Sequence, residues 1–504
     1  MTSTFHGIET SKRSLTTQLA AINTTGHNIA NAKTEGYSRQ RVNMTEAISY
    51  DAYGMNRTTM AGQLGEGVEA ASITRIRENY LDKQYRDQNT LNGSWTVQAN
   101  NLSQLEDIIG EPSDKGLSSQ IQNFFKSWSD LAANPESASN RTIVAEYAQT
   151  LAQTFNQMSS QITTLQSSVT DQIQTAASDI NSMAQSIATL NTQIKKLETN
   201  GNDANDLRDQ RDLLVDQLAR QGNITVADTS DGYEIDFAGS NLVTGDKVSE
   251  VTADSLGSAF AKGDLSGGEV QGLFVSRDVN LQGFLNDLDN LANTLANGDV
   301  EVTLPAGSTY QGATLAADTK VTVKGINGLH QLGFTFDNPA QPGAAIFTSS
   351  APNGVITAAS IQLNTVIKND PSKIATSLSA AADPVTGDLT AMKGNNGLAL
   401  LVADLSDGKF AFGGTTPVTI GDYYGSSVSG VGVKSKDAQR QMATTDSMLA
   451  SVDATRQGVS GVSLDEEAGN LIVFQQAYSA ASRFMTTLDQ MLDKLINGTG
   501  VVGL

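Results

Sequence analysis

Only a few residues in the chain have the types and the spacing that catalysis requires. Ser406 and Lys409 have the Ser-x-x-Lys spacing that some acyl transferases use for a serine nucleophile and its lysine partner. They fall in a turn-like stretch, not at the start of a helix, and the sequence has no companion motif. It also has no phosphate-binding loop and no recognisable set of nucleophile, base and acid. We interpret the pair as a chance match and do not predict an enzyme.

Acidic side chains form a second group of candidates, because clustered carboxylates can bind a divalent cation. One cluster does not have the spacing of a calcium-binding EF-hand loop. Its carboxylates are placed as they would be along the solvent-exposed edge of a strand. Its members are Asp228, Asp231, Glu234 and Asp236. The other cluster, Asp465 to Glu467, lies at a predicted helix start, where the helix dipole favours negative charge without any ligand. Neither cluster predicts a metal site.

The cysteine and histidine content restricts metal chemistry further. The chain has no cysteine, which excludes disulfides, thiolate chemistry and Cys-based zinc sites. The three histidines, His6, His27 and His330, are too few for a His-rich metal site. We therefore predict no catalytic residue, no cofactor and no metal.

The net charge excludes two classes of partner. The chain has 504 residues, a formal net charge of −21 and a pI of about 4.5. Nucleic acids and anionic membrane surfaces both require a basic face, so neither is an expected partner. Met1 to Arg13 lacks the apolar core of a secretory signal peptide, and no apolar run reaches the roughly 18 residues that span a bilayer. We expect a protein that stays in the cytoplasm or leaves by a route that reads no such signal.

The strongest periodic pattern lies in the last long segment, Ser463 to Asn497. Apolar residues recur there at alternating steps of three and four, which is the seam of a coiled-coil helix. The seam residues are Leu471, Phe474, Tyr478, Ala481, Met485, Leu488, Leu492 and Leu495. Ser463 with Glu466 predicts a capping box at the helix start, and Gly498 predicts a left-handed stop at its end. So narrow an apolar stripe requires a partner helix.

The opposite end of the chain supplies a matching helix, Phe5 to Ala32. Its seam residues are Phe5, Ile8, Leu15, Leu19, Ile22 and Ile29, with Lys12 and Gly26 at the two remaining steps. Residues 1–45 contain five basic and two acidic residues, whereas residues 460–504 contain two basic and five acidic residues. These opposite charges favour pairing of the two helices and set its register, although they contribute little energy. The alternative is two independent amphipathic helices, each packed on its own domain.

Between the two ends, the pattern predicts long helices and a β-rich middle. All nine prolines lie between Pro112 and Pro417, so both ends are free to be helical. The longest predicted helix, Ile143 to Leu197, is on the order of 80 Å long, which is typical of a strut. From Asn223 a period of two predicts strands. The predicted fold class is mainly α with a β-rich insertion, comprising a terminal-helix coiled coil, a long helical bundle domain and an outer β-rich domain inserted mid-chain.

Three stretches resemble a known family. Asn28 to Val42 resembles the N-terminal signature of the axial proteins of the bacterial flagellum, although Glu35 stands where many members have proline. Asp206 to Leu218 and Gly461 to Asn497 are similar to the hook-associated protein 1 family. The resemblance covers both ends and most of the helical part, and the β-rich middle matches only in fragments.

The resemblance implies a structural protein at the junction between the flagellar hook and the flagellin filament. Many copies would assemble through their terminal helices after type III export. The implied partners are sister copies in a ring or tube, the hook protein, the second hook-associated junction protein and a cytoplasmic export chaperone. The implied location is extracellular, in the flagellum, after a transient cytoplasmic pool. The residues expected to carry assembly and chaperone binding are Phe5, Ile8, Leu15, Leu19, Ile22, Ile29, Leu471, Phe474, Tyr478, Met485, Leu488, Leu492 and Leu495.

The predicted organisation has three domains. Residues 1–47 with 461–504 form a terminal coiled-coil core, and residues 48–222 with 269–297 and 426–460 form a helical bundle. Residues 223–268 with 298–425 form a β-rich outer domain. Two alternatives remain: another flagellar axial protein, such as the hook protein or the second junction protein, or an extracellular enzyme or adhesin carried in the β-rich insertion.

Overall fold

The fold is mainly helical, as the sequence predicts. The structure, a computed structural model, describes residues 5–47, 65–382, 387–412 and 416–498. The chain is 62% helical and contains a few small sheets. None of the helices within the described ranges combines the length and the apolar character that a membrane-spanning helix requires.

Long helices account for most of the ordered backbone. In the described ranges the helices are α1 His6–Asn31, α2 Asn79–Ile109, α3 Leu117–Ala133, α4 Ala138–Thr199, α5 Asn205–Gln221, α6 Ala253–Lys262, α7 Gly268–Phe274, α8 Gln282–Asn297, α9 Gly325–His330, α10 Thr365–Asn369, α11 Gly397–Asp404, α12 Ile420–Ser460 and α13 Leu464–Gly498. A π-helical stretch, Val275–Leu281, joins α7 to α8. The predicted terminal helices and the predicted longest helix correspond to α1, α13 and α4.

The strands form small antiparallel sheets. They are β1 Gln40–Glu46, β2 Val68–Arg75, β3 Ile224–Thr229, β4 Gly232–Phe237, β5 Ser240–Thr244, β6 Lys247–Val248, β7 Asp299–Leu304, β8 Thr309–Tyr310, β9 Ala313–Thr314, β10 Thr319–Lys324, β11 Phe347–Ser349, β12 Ile361–Leu363, β13 Ala380–Ala382 and β14 Leu389–Ala391. Strands β3 to β6 follow one another in a four-stranded sheet, and the others pair in twos. The period of two from Asn223 therefore marks true strands.

The chain divides into two compact units. Unit 1 comprises Met1–Ser94, Thr175–Gln271 and Ala443–Leu504, and unit 2 comprises Trp95–Gln174 and Gly272–Met442. The strands at 224–248 belong to unit 1, whereas those at 299–391 belong to unit 2. The predicted organisation into three domains is finer than this division into two units, and it stays a prediction.

The core of unit 1 away from the terminal helices is apolar. Side chains of α4, α5 and the four-stranded sheet are buried there; they include Ile180, Ile187, Val215, Leu218, Ile235 and Phe237. Gly36 has φ +78 in the turn after α1, and a Cβ atom there would lie 3.1 Å from Leu213 of α5. The absence of a side chain therefore lets this turn approach α5 closely.

The core of unit 2 contains an aromatic cluster around a buried histidine. Trp128 of α3 is fully buried, and its ring centroid lies 6.0 Å from that of His330 in a T-shaped arrangement. The Nε2 atom of His330 accepts a hydrogen bond from the backbone N–H of Ala375 at 2.9 Å. The Nδ1–H therefore donates to the carbonyl of Ala344. Both ring nitrogens are used by the neutral imidazole, so His330 is a structural residue of this core.

Acid is expected to destabilise unit 2 through His330. Burial lowers the pKa of His330 to about 4, from an ordinary value of 6.5. Between these values the unfolded chain binds a proton that the folded chain does not, so stability present above pH 6.5 falls as the pH drops toward 4. The expected loss is about 3 kcal/mol. Chemical denaturation of the wild type and of His330→Gln across this range measures it. The prediction fails if both proteins show the same pH dependence.

Candidate functional site

The two terminal helices lie against each other in antiparallel orientation. Near the start of α1, a Cβ atom on Gly7 would lie 2.9 Å from Leu488 Cδ1, toward the end of α13. Near the end of α1, the side-chain amide of Asn28 donates to Glu467, in the first turn of α13, at 3.1 Å. The lack of a side chain at Gly7 brings the helix backbones close together at Leu488.

On α13, the predicted seam is the face that α1 partly covers. Most of the seam residues are half-buried, whereas most of their neighbours on the helix are exposed. The half-buried members are Leu471, Phe474, Ala481, Met485, Leu488 and Leu492. Tyr478 and Leu495 are 37% and 53% exposed. The heptad pattern therefore identifies the side of α13 that meets α1.

On α1, the predicted seam is only partly buried. Ile8, Leu15, Ile22 and Ile29 are half-buried, but Phe5 and Leu19 are 60% and 47% exposed. Other positions of α1 are buried by a second contact, because β1 and β2 also pack on this helix. The Thr17 hydroxyl, for example, donates to the carbonyl of Val68 at 3.2 Å. Because the hairpin and α13 cover different sides, the buried positions of α1 do not follow a single heptad stripe.

The ends of α13 differ in detail from the predicted caps. The backbone N–H of Glu466 reaches the Ser463 hydroxyl at 3.5 Å, which is one half of a capping box. The other half is replaced, because the Glu466 carboxylate accepts a hydrogen bond from Arg39 at 2.7 Å. Gly498 is the last residue of α13 and does not form the predicted stop outside the helix.

A buried polar junction connects α1, β1 and α13. The Asn28 side chain is 1% exposed and makes four hydrogen bonds. Its amide donates to the carbonyl of Gln40 at 2.9 Å and to Glu467 at 3.1 Å. Its oxygen accepts from the Gln40 N–H at 2.9 Å and from the Tyr37 hydroxyl at 2.8 Å. Asn28 is thus fully satisfied and fixes the chain beyond α1 onto the start of α13.

Glu467 is the charged centre of this junction. It is 2% exposed, and its second carboxylate oxygen accepts from Arg39 Nε at 2.7 Å. Burial and then the carboxylates of Asp206 and Asp209 raise the pKa of Tyr37, so its hydroxyl stays a donor. We refer to Asn28, Tyr37, Arg39, Gln40 and Glu467 as the terminal junction.

Sequence reasoning did not identify the terminal junction, although one signal was present. Counting back from Leu471 along the seam, the preceding heptad positions are Glu467 and Leu464. A carboxylate on an apolar seam requires a buried partner. That signal predicts an ion pair at the start of α13 but does not name Arg39, which is far away in the sequence.

The groups in and around this site do not form a catalytic arrangement. A cleft of about 750 Å³ beside the junction is lined by arginines that already pair with carboxylates. The pairs are Arg39 with Glu467, Arg77 with Asp82, Arg220 with Glu269 and Arg456 with Asp216. Across the described ranges, no three His, Asp or Glu side chains are grouped as metal binding requires. Ser406 lies in a turn after α11, and Asp231 forms an ion pair with Lys195.

Comparison with known proteins identifies the family. The model described as flagellar hook-associated protein FlgK helical domain matches residues 102–302. The model described as flagellar basal body rod FlgEFG protein C-terminal matches residues 457–498, which contain α13. Flagellar hook-associated protein 1 of Bacillus subtilis (strain 168) is 34% identical over 520 residues, covering 100% of both chains. The chain belongs to the flagellar hook-associated protein 1 family. It is accordingly a structural component of the flagellum.

Two further relatives named as hook-associated protein 1 share less sequence identity with the chain. The Escherichia coli (strain K12) protein is 28% identical over 551 residues, covering 95% of this chain and 97% of its own. The Salmonella typhimurium protein is 26% identical over 563 residues with the same coverage. The solved structure of the flagellar hook junction protein FlgK from Burkholderia pseudomallei has a TM-score of 0.53 at 18% identity, covering 76% of this chain and 100% of that one. This last match shows a shared fold.

Proposed function

We propose that this chain forms the junction between the flagellar hook and the flagellin filament, and that many copies assemble there through α1 and α13. The family membership supports a hook-associated role, and the Burkholderia pseudomallei relative is itself described as a hook junction protein. The observation that carries the proposal is the apolar surface that the paired terminal helices leave exposed. Its members are Leu19, Ile472, Val473, Phe484 and Met491. Exposed apolar side chains grouped on a pair of packed helices are typical of a docking surface.

In this proposal the terminal pair is a coiled-coil core that packs against sister copies. The core comprises residues 1–47 with 461–504, and the helical bundle comprises 48–222 with 269–297 and 426–460. The β-rich residues 223–268 with 298–425 face outward. The seam residues hold α1 and α13 together, and the exposed apolar residues contact the next copy. Contacts of this head-to-tail kind generate rings or tubes when the rotation repeats.

The remaining partners follow from that location. One side of the assembly contacts the hook protein, and the other contacts the second hook-associated junction protein. The chain reaches this extracellular location through the flagellar type III export route, after a transient stay in the cytoplasm. An export chaperone covers the apolar stripe of α13 in the cytoplasm, because the stripe would otherwise associate too early. The role is structural and includes no catalytic step.

Removing the chain from its own bacterium tests the proposal. We expect cells without it to build hooks but to lose attached filaments, with flagellin released into the medium. Electron microscopy of isolated flagella and immunoblotting of the medium measure both effects. Wild-type chain supplied from a plasmid should restore attachment. Filaments that stay attached in the absence of the chain would exclude a junction role.

A further inference from the structure

Asparagine–glycine pairs are places where a protein chain can react with itself. The side-chain amide of asparagine can be attacked by the backbone nitrogen of the next residue, and glycine has no side chain to shield that nitrogen. The chain contains seven such pairs, six of them outside the terminal helices α1 and α13. The asparagines of these six pairs are Asn92, Asn200, Asn297, Asn327, Asn353 and Asn396.

The pair Asn353–Gly354 lies in an exposed turn of unit 2, between strands β11 and β12. The backbone N–H of Gly354 donates to the carbonyl of Ala351 at 3.0 Å, with Pro352 and Asn353 at the middle of the turn. Gly354 has φ +71. One hydrogen bond in a surface turn is lost at low cost when the turn opens locally, so the Gly354 nitrogen is accessible for reaction.

The Asn353 side chain is folded toward that nitrogen. Its Oδ1 atom accepts a hydrogen bond from the backbone N–H of Val355 at 3.1 Å. A side chain that bonds to the backbone two residues further along lies over the peptide unit between them. The amide carbon of Asn353 is therefore held beside the Gly354 nitrogen, which is the arrangement that an attack by this nitrogen requires.

The residue that orients Asn353 is itself fixed by serines. The carbonyl of Val355 accepts hydrogen bonds from the Ser349 hydroxyl at 2.6 Å and from the Ser360 hydroxyl at 3.0 Å. Ser349 is the last residue of β11, and Ser360 immediately precedes β12. The two strands thus hold Val355 in place, and Val355 holds the Asn353 side chain over the following peptide unit.

Asn200–Gly201 is a natural control within the same chain. It is exposed like Asn353–Gly354, and Gly201 also has a positive φ, of +81. The side-chain amide of Asn200, however, donates to the carbonyl of Lys196 at 3.1 Å, back along α4. Its amide carbon is thereby turned away from the Gly201 nitrogen. The two pairs differ in the direction of the asparagine side chain and not in exposure.

The other four pairs are held by helices or by buried contacts. Asn92 and Asn327 are 4% and 6% exposed and lie within α2 and α9. Asn297 is the last residue of α8. The amide of Asn396 donates to the carbonyl of Ala132 at 2.9 Å. Each of these asparagines would have to leave an ordered helix or break a tertiary contact before it could react.

We propose that Asn353 is a site of self-modification, at which the backbone nitrogen of Gly354 attacks the side-chain amide carbon. A bond forms between these two atoms and closes a five-membered succinimide ring. The bond from the same carbon to Nδ2 breaks, and Nδ2 leaves as ammonia with the proton that the Gly354 nitrogen gives up. Water then opens the ring at either carbonyl and leaves aspartate or isoaspartate at position 353. The change adds one negative charge to the turn, and it is independent of the proposed junction role.

Incubation of the full-length chain in mildly alkaline buffer tests the proposal. Peptide mapping by mass spectrometry reads the conversion of amide to acid at the six sites, and labelling by an isoaspartate methyltransferase detects isoaspartate. Asn353 is expected to convert about tenfold faster than Asn200, because its side chain is already folded onto the nucleophile. The four remaining sites should stay intact over the same period. Asn353→Gln should remove the isoaspartate signal, because the longer side chain cannot close the same ring.

Incubation in urea provides the matched control, because it removes the structure and leaves the sequence unchanged. All six pairs should then convert at similar rates, since each asparagine is followed by glycine. The proposal is contradicted if Asn353 stays intact in the folded chain while it converts in urea. It is also contradicted if Asn200 converts as fast as Asn353 in the folded chain, because the direction of the side chain would then have no effect.

Discussion

Replacing Asp212 with asparagine is expected to lower the free energy of unfolding of unit 1 by about 4 kcal/mol. The Asp212 side chain is 2% exposed and lies within ion-pair distance of Arg75, Arg77 and Arg86. Its Oδ1 atom also accepts a hydrogen bond from the Tyr233 hydroxyl at 2.7 Å. The asparagine amide would keep the shape of the side chain. The buried guanidinium groups of Arg75, Arg77 and Arg86 would then lose the carboxylate charge that they pair with. Urea unfolding followed by hydrogen exchange in unit 1 measures the loss.

The pH dependence of the same variant provides a second readout. Burial alone would raise the pKa of Asp212, but the guanidinium groups of Arg77 and then Arg75 outweigh it and hold the pKa at about 2. The contribution of the carboxylate is present above an ordinary pKa of 3.8 and is lost as the pH falls toward 2. The difference between wild type and Asp212→Asn should therefore shrink through that window.

A surface ion pair is the appropriate control for Asp212. Asp231 lies 2.6 Å from Lys195, but both side chains are more than half exposed. Water already solvates both groups, so Asp231→Asn should produce no measurable change in stability. Equal effects of Asp212→Asn and Asp231→Asn would show that the burial of the Asp212 carboxylate does not matter.

Local periodicity was sufficient to predict α1, α4 and α13. The seam of α13 emerges from spacing alone, because the face that meets another helix must repeat every seven residues. The strands β3 and β4 could likewise be predicted from the sequence, because apolar residues such as Ile235 and Phe237, which are buried, alternate with polar neighbours. These features depend only on residues close in the sequence.

Long-range polar pairing was not predictable in this way. Asn28 and Glu467 are 439 residues apart, and a sequence pattern does not show which distant residues meet. The side of α1 that β1 and β2 cover is buried through threonine, serine and asparagine, so it carries no apolar stripe. Asp209, Asp212 and Asp216 of α5 would be expected on an exposed helix face, but they are buried and paired with arginines from other segments.

Replacing Leu488 with aspartate is expected to abolish incorporation of the chain into flagella. Leu488 is half-buried on the α13 seam, beside Gly7 of α1. A carboxylate there would be desolvated between two helices, so the α1–α13 pair would separate. Incorporation, measured as chain per isolated hook, should fall about tenfold or more.

Gln490→Asp is the matched control for Leu488→Asp. It adds the same charge to the same helix at an exposed position away from the seam. Incorporation of this variant should equal that of the wild type. If both variants are excluded from flagella, added charge and not the seam would be the cause.

Chemical crosslinking tests most directly the central claim, that paired terminal helices dock onto sister copies. The chain has no cysteine, so Leu19→Cys with Phe484→Cys introduces the only two thiols. These positions are 47% and 52% exposed on α1 and α13. Treating isolated flagella with a short bis-maleimide should give a ladder of linked copies, whereas dilute monomer should give none. A chain that remains unlinked in assembled flagella, with both cysteines present and reactive, would contradict the account.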